Sequence, residues 1–267
     1  IDISFIMQIL ITGSAGFIGF NFAKYLLRTT NHKVFGIDNL NNYYSSSFKI
    51  NRIKELNNFK NFKFYKIDIN SKKKLKSFFK RKKISLIINL AAQAGVRYSL
   101  KKPSEFVDNN ILGFYNIIEV AKTFNIKKII YASSSSIYGD SKFFPLKENQ
   151  LITPKNIYGL SKKINEQMAS VFSEQYKICF IGLRFFTVYG EWGRPDMFMM
   201  KYLSSSYFKS KKFYLNNYGN HTRDFTYIGD VCKILKFFIS YKKVNKNMVY
   251  NICSNKPIHL SKIMNII

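Results

Sequence analysis

Met7-Gln-Ile-Leu-Ile-Thr-Gly13-Ser-Ala-Gly16-Phe-Ile-Gly19 opens the readable part of the chain, and Val34-Phe-Gly-Ile-Asp38 follows it. A short apolar run, a turn carrying three glycines, a stretch of helical periodicity and a second apolar run ending in an acid form the order of a βαβ dinucleotide-binding unit. Glycine at 13, 16 and 19 permits a tight turn and close backbone approach to a pyrophosphate. That group would rest on the N-terminus of the helix beginning at Phe17 and Ile18, where N–H groups are unpaired and the dipole favours an anion. Asp38 lies 25 residues after Gly13 and can accept hydrogen bonds from an adenosine ribose. Its charge would repel a 2′-phosphate, so the pattern points to NAD rather than NADP.

Working outward, apolar runs alternate with helical stretches. Strands are expected at Met7 to Ile11, Val34 to Asp38, Phe62 to Ile67, Leu86 to Leu90, Ile129 to Ala132 and Ile178 to Leu183. Helices are expected at Phe17 to Arg28, Ser71 to Lys82, Pro103 to Phe124 and Asn156 to Gln175. This alternation predicts an α/β fold with a Rossmann-type, doubly wound parallel sheet and helices on both faces. Uninterrupted apolar strands such as Leu86 to Leu90 suit a sheet covered on both sides. After about Phe185 the pattern becomes rich in loops, with Gly190, Gly193, Pro195, Gly219 and Pro257. We therefore expect residues 1–184 to form the nucleotide-binding domain and residues 185–267 a smaller substrate lobe, with residues 224–240 packing back on the first domain.

Composition bounds the function. The chain has 267 residues, 46% of them hydrophobic and 17% aromatic, enough to bury a core without metal or disulfide staples. No apolar run approaches the ~18 residues of a membrane span. Cys179, Cys232 and Cys253 are too few and too scattered for a disulfide framework or a zinc pair, and His32, His221 and His259 show no metal spacing, so no metal is expected. A reducing cytoplasm fits this cysteine usage, and the Gly-rich loop directly after Ile11 argues against a secretory signal. The net charge of +28 comes from 43 basic residues against 15 acidic ones. Only seven of the basic residues are arginine, and the lysines are spread over nearly every segment, as solvated surface charges are. No nucleic-acid partner is expected. A non-catalytic dinucleotide- or RNA-binding Rossmann protein is the competing class; it would need no base, whereas this chain retains the elements of one.

Those elements are Tyr158-Gly-Leu-Ser-Lys162, whose spacing of four places both side chains on one helical face. An ammonium beside a phenol favours the phenolate, as does a positively charged nicotinamide, and such a tyrosine serves as a general base. Upstream, Ser133-Ser134-Ser135-Ser136 stands at the C-terminal end of a predicted strand, where ligands bind in open α/β sheets. Asp68, at the end of the third strand, can contact an adenine edge or cap the next helix.

Together these residues resemble the extended short-chain dehydrogenase/reductases that act on nucleotide sugars. Thr12 to Gly19, Asp38-Asn39-Leu40, Leu90-Ala91-Ala92-Gln93, Ser133 to Gly139, Tyr158/Lys162 and Arg223-Asp-Phe-Thr-Tyr-Ile228 match the family's landmarks in order. Ala91-Ala-Gln-Ala-Gly-Val-Arg97-Tyr-Ser99 and Arg184-Phe-Phe-Thr187-Val-Tyr-Gly-Glu-Trp-Gly-Arg194-Pro-Asp-Met197 are most similar to UDP-glucuronate 4-epimerases. The resemblance implies that NAD is held by Gly13, Gly16, Phe17, Ile18, Gly19, Asp38, Asn39, Asp68, Ile69, Leu90, Ala91, Ala92, Gln93 and Asn109 with Tyr158 and Lys162. It implies catalysis by Tyr158, Lys162 and Ser134. Substrate contacts would come from Arg97, Ser135, Ser136, Thr187, Arg194 and Arg223, with Thr187 and Arg194 toward the sugar carboxylate and Arg223 on the UDP pyrophosphate. The implied reaction oxidises C4, turns the bound 4-keto sugar over and reduces its opposite face. A 4-epimerase of UDP-glucose or UDP-N-acetylglucosamine is the in-class alternative. Arg194 as a loop anchor and Arg223 paired with Asp224 or Asp230 are the structural alternatives.

Related 4,6-dehydratases carry an Asp-Glu pair directly after the hydroxyl residue, where this chain has Ser135 and Ser136. Without that acid/base group an elimination lacks its proton shuttle. Two departures stand out. Glu191 occupies a position where these epimerases more often have proline, and the family continues for several elements past Ile267. The latter implies that part of the sugar-site wall, with a second pyrophosphate arginine, is missing from this chain and that cofactor binding would outlast activity. The residues before Met7 read as an extension of a start at that methionine. Relatives often dimerise through two helices per subunit, and Pro103 to Phe124 and Asn156 to Gln175 are long enough to do so.

Overall fold

In the computed structural model, residues 6–208, 213, 216–241 and 247–266 are described. The first half alternates as expected: β1 (Gln8–Thr12), α1 (Phe17–Thr29), β2 (Lys33–Asp38), α2 (Ser46–Asn57), β3 (Phe62–Lys66), α3 (Lys72–Lys80) and β4 (Leu86–Asn89). Next come α4 (Val96–Lys101), α5 (Pro103–Phe106), a π-helical turn (Val107–Leu112), α6 (Gly113–Thr123), β5 (Lys128–Ser134), a 3-10 turn (Ser135–Tyr138), α7 (Ile157–Tyr176) and β6 (Cys179–Phe185). The remainder comprises β7 (Thr187–Tyr189), α8 (Phe198–Phe208), β8 (Thr222–Tyr227), α9 (Ile228–Ser240), β9 (Asn247–Ile252), β10 (Pro257–His259) and α10 (Leu260–Ile266).

Seven strands form one parallel sheet in the order β3-β2-β1-β4-β5-β6-β9. The period-two geometry of a strand sends Ile9 and Ile11 into the core on one face and Leu10 into the core on the other; Ile88 and Ile87, Ile130 and Ile129, and Ile181 and Phe180 divide in the same way. The strands read as continuous apolar runs because both faces are covered, one by helices that include α1 and α9 and the other by α3, α6 and α7. Beyond Phe185 the expected loops prove to hold four strands. β7, β8 and β10 make a small second sheet, β8 running parallel to β7 and antiparallel to β10. β9 instead returns to the large sheet beside β6. Val231, Cys232, Leu235 and Phe238 of α9 share the hydrophobic cluster of Ala23, Leu26 and Leu27 of α1.

The helix expected over Pro103 to Phe124 is interrupted by the π-helical turn. Bonding from i to i+5 adds a residue to that turn and re-aims the side chains around it, a device common near functional sites. Here Asn110 is buried beneath the end of β4, while its neighbour Asn109 faces Glu105 and Asn70. Ser71 to Lys82 shortens to Lys72–Lys80, the flanking basic residues lying outside the last turn.

One polar network crosses the core behind β5. Glu166 on α7 and Arg184 on β6 form a bidentate pair at 2.9 and 2.8 Å, with side chains 8% and 5% exposed. Glu166 also accepts from Ser133 (2.5 Å). Arg184 donates to the Tyr138 hydroxyl (2.8 Å) and the Glu148 carbonyl (3.0 Å), and Tyr138 donates to Asn251 of β9 (2.6 Å). Removing one partner of such a pair strands a buried charge. Arg184→Met should therefore cost about 3–5 kcal/mol of stability, read as a lower urea midpoint at unchanged slope. The double variant Glu166→Leu/Arg184→Met should recover most of that loss.

Candidate active site

All seven strands of the large sheet run the same way, so their C-terminal ends share one rim, and the candidate residues gather there. Gly13 adopts φ +68°, and a Cβ on it would lie 2.7 Å from the Ala91 nitrogen at the end of β4; a Cβ on Gly19 would run into the Gly13 carbonyl oxygen. The loop is held by Thr12, whose hydroxyl donates to Asn89 (2.7 Å) and accepts from the Ala91 N–H (3.0 Å). Gly16 caps α1 without a side-chain hydrogen bond, and the first turn contains no acid. The first N–H groups of α1, those of Phe17 and Ile18, lie in the turn that has no carbonyl partner within its own helix and so suit an anion. A closely packed glycine cradle with open donors fits a dinucleotide pyrophosphate.

Asp38 ends β2 and is buried, accepting from the Leu40 N–H (2.8 Å) and the Ala15 N–H (3.1 Å). Burial raises its pKa, opposed by those two N–H groups and by the charges of Lys49 and Arg52. Asn39 donates to Asp68 (2.9 Å), so the ends of β2 and β3 are joined as the expected adenine side requires. Asp68 accepts from the Asn70 N–H rather than capping α3. The Ile69 side chain is turned into the core against Gly113, and its carbonyl accepts from Asn116 (3.1 Å).

Leu90, Ala91 and Ala92 are half-buried along the path from β4, and Gln93 is locked by Asn110, which accepts from the Gln93 N–H (2.7 Å) and donates to its carbonyl (3.1 Å) and to Ser161 (3.0 Å). Asn109, the residue read from the sequence, donates to the Glu105 carbonyl (2.7 Å) and accepts from Asn70 (3.3 Å).

At the end of β5, Ser134 is buried and its Oγ lies 3.2 Å from both the Ser136 N–H and the Ser136 Oγ, with Ser135 half-buried alongside. Asn156 caps α7 through the Gly159 N–H (2.9 Å), so the helix starts at Ile157, one residue before Tyr158. Tyr158 packs against Phe106, ring centres 6.0 Å apart. Lys162 is buried; its ammonium donates to the Ala132 carbonyl (2.8 Å) and lies 6.0 Å from the Tyr158 ring centre. Burial lowers the Lys162 pKa to about 8, against the opposing pull of Glu166.

The far wall comes from β7 and the loop after it. Thr187 is half-buried on β7 beside Phe225 of β8. Arg194 is paired bidentately with Asp196, Nε to Oδ1 at 2.9 Å and Nη2 to Oδ2 at 2.8 Å. Burial works against its charge, but Asp196 more than offsets this and the Tyr43 and Tyr158 hydroxyls add to the offset, raising its pKa. Arg223 is exposed on β8. It pairs with neither Asp224, which accepts from Ser254 and Lys256, nor Asp230, which pairs with Lys233. Arg97 is exposed on α4. Among the described residues no group of histidine, cysteine, aspartate and glutamate could hold a metal, and no helix is long and apolar enough to cross a membrane.

The sequence reading passed over Arg52, fully buried on α2. It donates to the Ala15 carbonyl (2.8 Å), to the Tyr44 hydroxyl (2.7 Å) and to the Trp192 carbonyl, and it stacks 4.7 Å from the Phe48 ring. One cation therefore fastens the glycine loop to the loop that carries Arg194.

Residues 9–253 match the NAD dependent epimerase/dehydratase family. The chain belongs to that family. Its relatives include protein CapI of Staphylococcus aureus, 40% identical over 97% of this chain and 81% of the relative. The UDP-glucuronate 4-epimerase of Thermodesulfobacterium geofontis is 38% identical over 97% and 79%. Among solved structures, the Bacillus cereus UDP-glucuronic acid 4-epimerase in complex with UDP-glucuronic acid and NAD superposes with a TM-score of 0.90 at 31% identity, covering 97% of this chain and 82% of that one. NAD is the family's cofactor, and the cradle described above fits it. When bound, it supplies a hydride acceptor that becomes a hydride donor.

The site makes one pH-dependent demand. Folding disfavours the Lys162 ammonium, because its pKa falls from 10.5 to about 8 on burial. Its charge therefore destabilises the protein fully below pH 8, and stability of the cofactor-free protein should rise between about pH 8 and 10.5. Urea titrations at stepped pH should show that rise flattened in Lys162→Met.

Proposed function

We propose that the protein is a cytoplasmic UDP-glucuronate 4-epimerase, forming UDP-galacturonate through a transient 4-keto sugar in support of surface polysaccharide synthesis. The observation that carries this reading is that one fold holds Tyr158 beside the buried Lys162 on α7 and, on the loop after β7, the Arg194 guanidinium forked to Asp196 with a further edge open. A planar cation at the sugar site is what a sugar acid needs and a neutral hexose does not. The curated relative and the solved neighbour named for this activity support it, and cysteines that form no disulfide among the described residues suit a reducing compartment.

In this reading Tyr158, assisted by the Ser134 hydroxyl, takes the proton from the sugar 4-hydroxyl as hydride leaves C4, and returns it once the ring has turned over. Lys162 favours the phenolate and holds the nicotinamide ribose. Thr187 and Arg194 hold the carboxylate, Arg223 the pyrophosphate, and Ser135, Ser136 and Arg97 the remaining sugar and phosphate oxygens. The Gly13, Gly16 and Gly19 cradle, with Phe17 and Ile18, receives the cofactor pyrophosphate. Asp38 receives the adenosine ribose, and Asn39, Asp68 and the Ile69 backbone the adenine. The Leu90 to Gln93 path lines the nicotinamide half. No carboxylate stands at Ser135 or Ser136 to drive an elimination, so the hydride comes back to C4 and the net redox change is zero.

NAD-loaded protein incubated with UDP-glucuronate should yield UDP-galacturonate on chromatographic resolution of the epimers. Tyr158→Phe should slow it by about 10²–10⁴-fold. No product, or faster turnover of UDP-glucose, would replace this reading. Leu100, Val107, Leu112, Leu160 and Val171 are exposed apolar side chains on α4, the π-helical turn and α7. We assign them to a homodimer interface, which light scattering should register as twice the chain mass.

A further inference from the structure

Three loops from different parts of the chain converge on the Arg194 side chain. Asp196 takes the Nε/Nη2 edge of the guanidinium in a two-bond fork, 2.9 and 2.8 Å, and leaves Nη1 without a hydrogen-bond partner among the described residues. Asp196 Oδ2 accepts a second bond, from the Tyr43 hydroxyl of the β2–α2 loop at 2.9 Å. The Tyr43 ring is packed in turn against Tyr98 of α4, centres 4.8 Å apart, and lies 5.8 Å from the Arg194 guanidinium carbon. Gly95, at φ +107°, admits the Tyr43 hydroxyl so closely that a Cβ there would collide with it. The arrangement is half-buried: the Arg194 and Asp196 side chains are 22% and 30% exposed.

We propose that Asp196, held in place by Tyr43, is a positioning residue that fixes the Arg194 guanidinium plane so that its free Nη1 edge meets the carboxylate of a uronic acid sugar. An arginine has two flat edges able to fork onto a carboxylate. Fastening one to an internal acid restricts rotation of the other and removes the conformational cost of aiming it at a ligand. The internal pair also leaves the arginine compensated when the cleft holds no acid, so the loop stays formed between turnovers. Because the ligand carboxylate and Asp196 share one cation, the selectivity of the site depends on geometry more than on net charge. This inference rests on the uronic acid reading above.

The test is calorimetric binding of UDP-glucuronate and of UDP-glucose to the NAD-loaded protein, scored as the ratio of their affinities, with NAD affinity measured on the same samples. Asp196→Asn should lower the preference for UDP-glucuronate about tenfold, as befits a lost charge-assisted bond to Arg194 itself, and Tyr43→Phe about threefold, since it acts on the guanidinium only through Asp196. In an Arg194→Leu background neither change should alter the ratio further, since nothing remains to be aimed. The proposal is overturned if Asp196→Asn leaves the ratio unchanged or raises it, or if both sugars and NAD weaken together, which would mean a collapsed cleft. A parent protein without any preference for the acid sugar would sink the uronic acid reading and this inference with it. A preference abolished by Arg194→Leu yet untouched by Asp196→Asn and Tyr43→Phe would sink this inference alone.

Discussion

A buried ammonium with a single hydrogen bond to protein is an expensive object, and Lys162 is one. Its partner is the Ala132 carbonyl, and the nearest compensating carboxylate, Glu166, is already bound to Arg184 and Ser133. The cost of keeping that charge in place is met by rigidity. Glu166 and Lys162 stand one turn apart on α7, Arg184 extends the network to β6, and Tyr138 and Asn251 extend it to β9. The distance between Lys162 and the Tyr158 ring is thereby set by the sheet itself rather than by a loop. That β9 is recruited into the large sheet from beyond Phe185 follows the same logic, since Asn251 closes the network at its far end.

The second dependency runs across the cleft. The glycine loop and the Arg194 loop lie far apart in sequence, and Arg52 binds carbonyl oxygens of both. Asn21 adds a parallel tie, donating to the Phe17 and Glu191 carbonyls at 2.9 and 3.0 Å. Trp192, in the left-handed region at φ 61°, wedges its ring against Phe20 and Phe48. The loop that lacks a proline at Glu191 is therefore stiffened from outside by a cation and an aromatic cluster. Cofactor and sugar sites built on such shared supports are expected to respond together to any change in α1 or α2.

Legibility in the sequence followed the range of the interactions. β1 to β6 lay within a residue or two of their expected ends, because five- and six-residue apolar runs bounded by turns are decided locally. α2 was passed over because its buried positions, Lys49, Arg52, Ile53 and Leu56, include two cations that a local reading assigns to solvent. Only the carbonyls of Ala15 and Trp192, the latter 140 residues away, make Arg52 an interior residue. The break in the helix expected over Pro103 to Phe124 was invisible for a related reason: a π-helical turn has no composition of its own. The small sheet and β9 were read as loop because their strands are short or only half-buried, so the alternation that marks a strand is faint. Motif residues fared better, since glycine turns and a Tyr/Lys pair are defined by spacing within a few residues.

The same geometry bears on why oxidation at C4 of a sugar acid need not end in loss of carbon dioxide. A 4-keto uronic acid is a β-keto acid, and its C5–carboxylate bond breaks readily when that bond lies perpendicular to the carbonyl plane. A carboxylate held along one guanidinium edge, as proposed for Arg194, would be hindered from turning into that orientation, and neither Ser135 nor Ser136 is a carboxylic acid that could protonate C5. On the proposed role of Arg194, return of hydride to C4 would then be the easier exit, with the placement of one arginine favouring it.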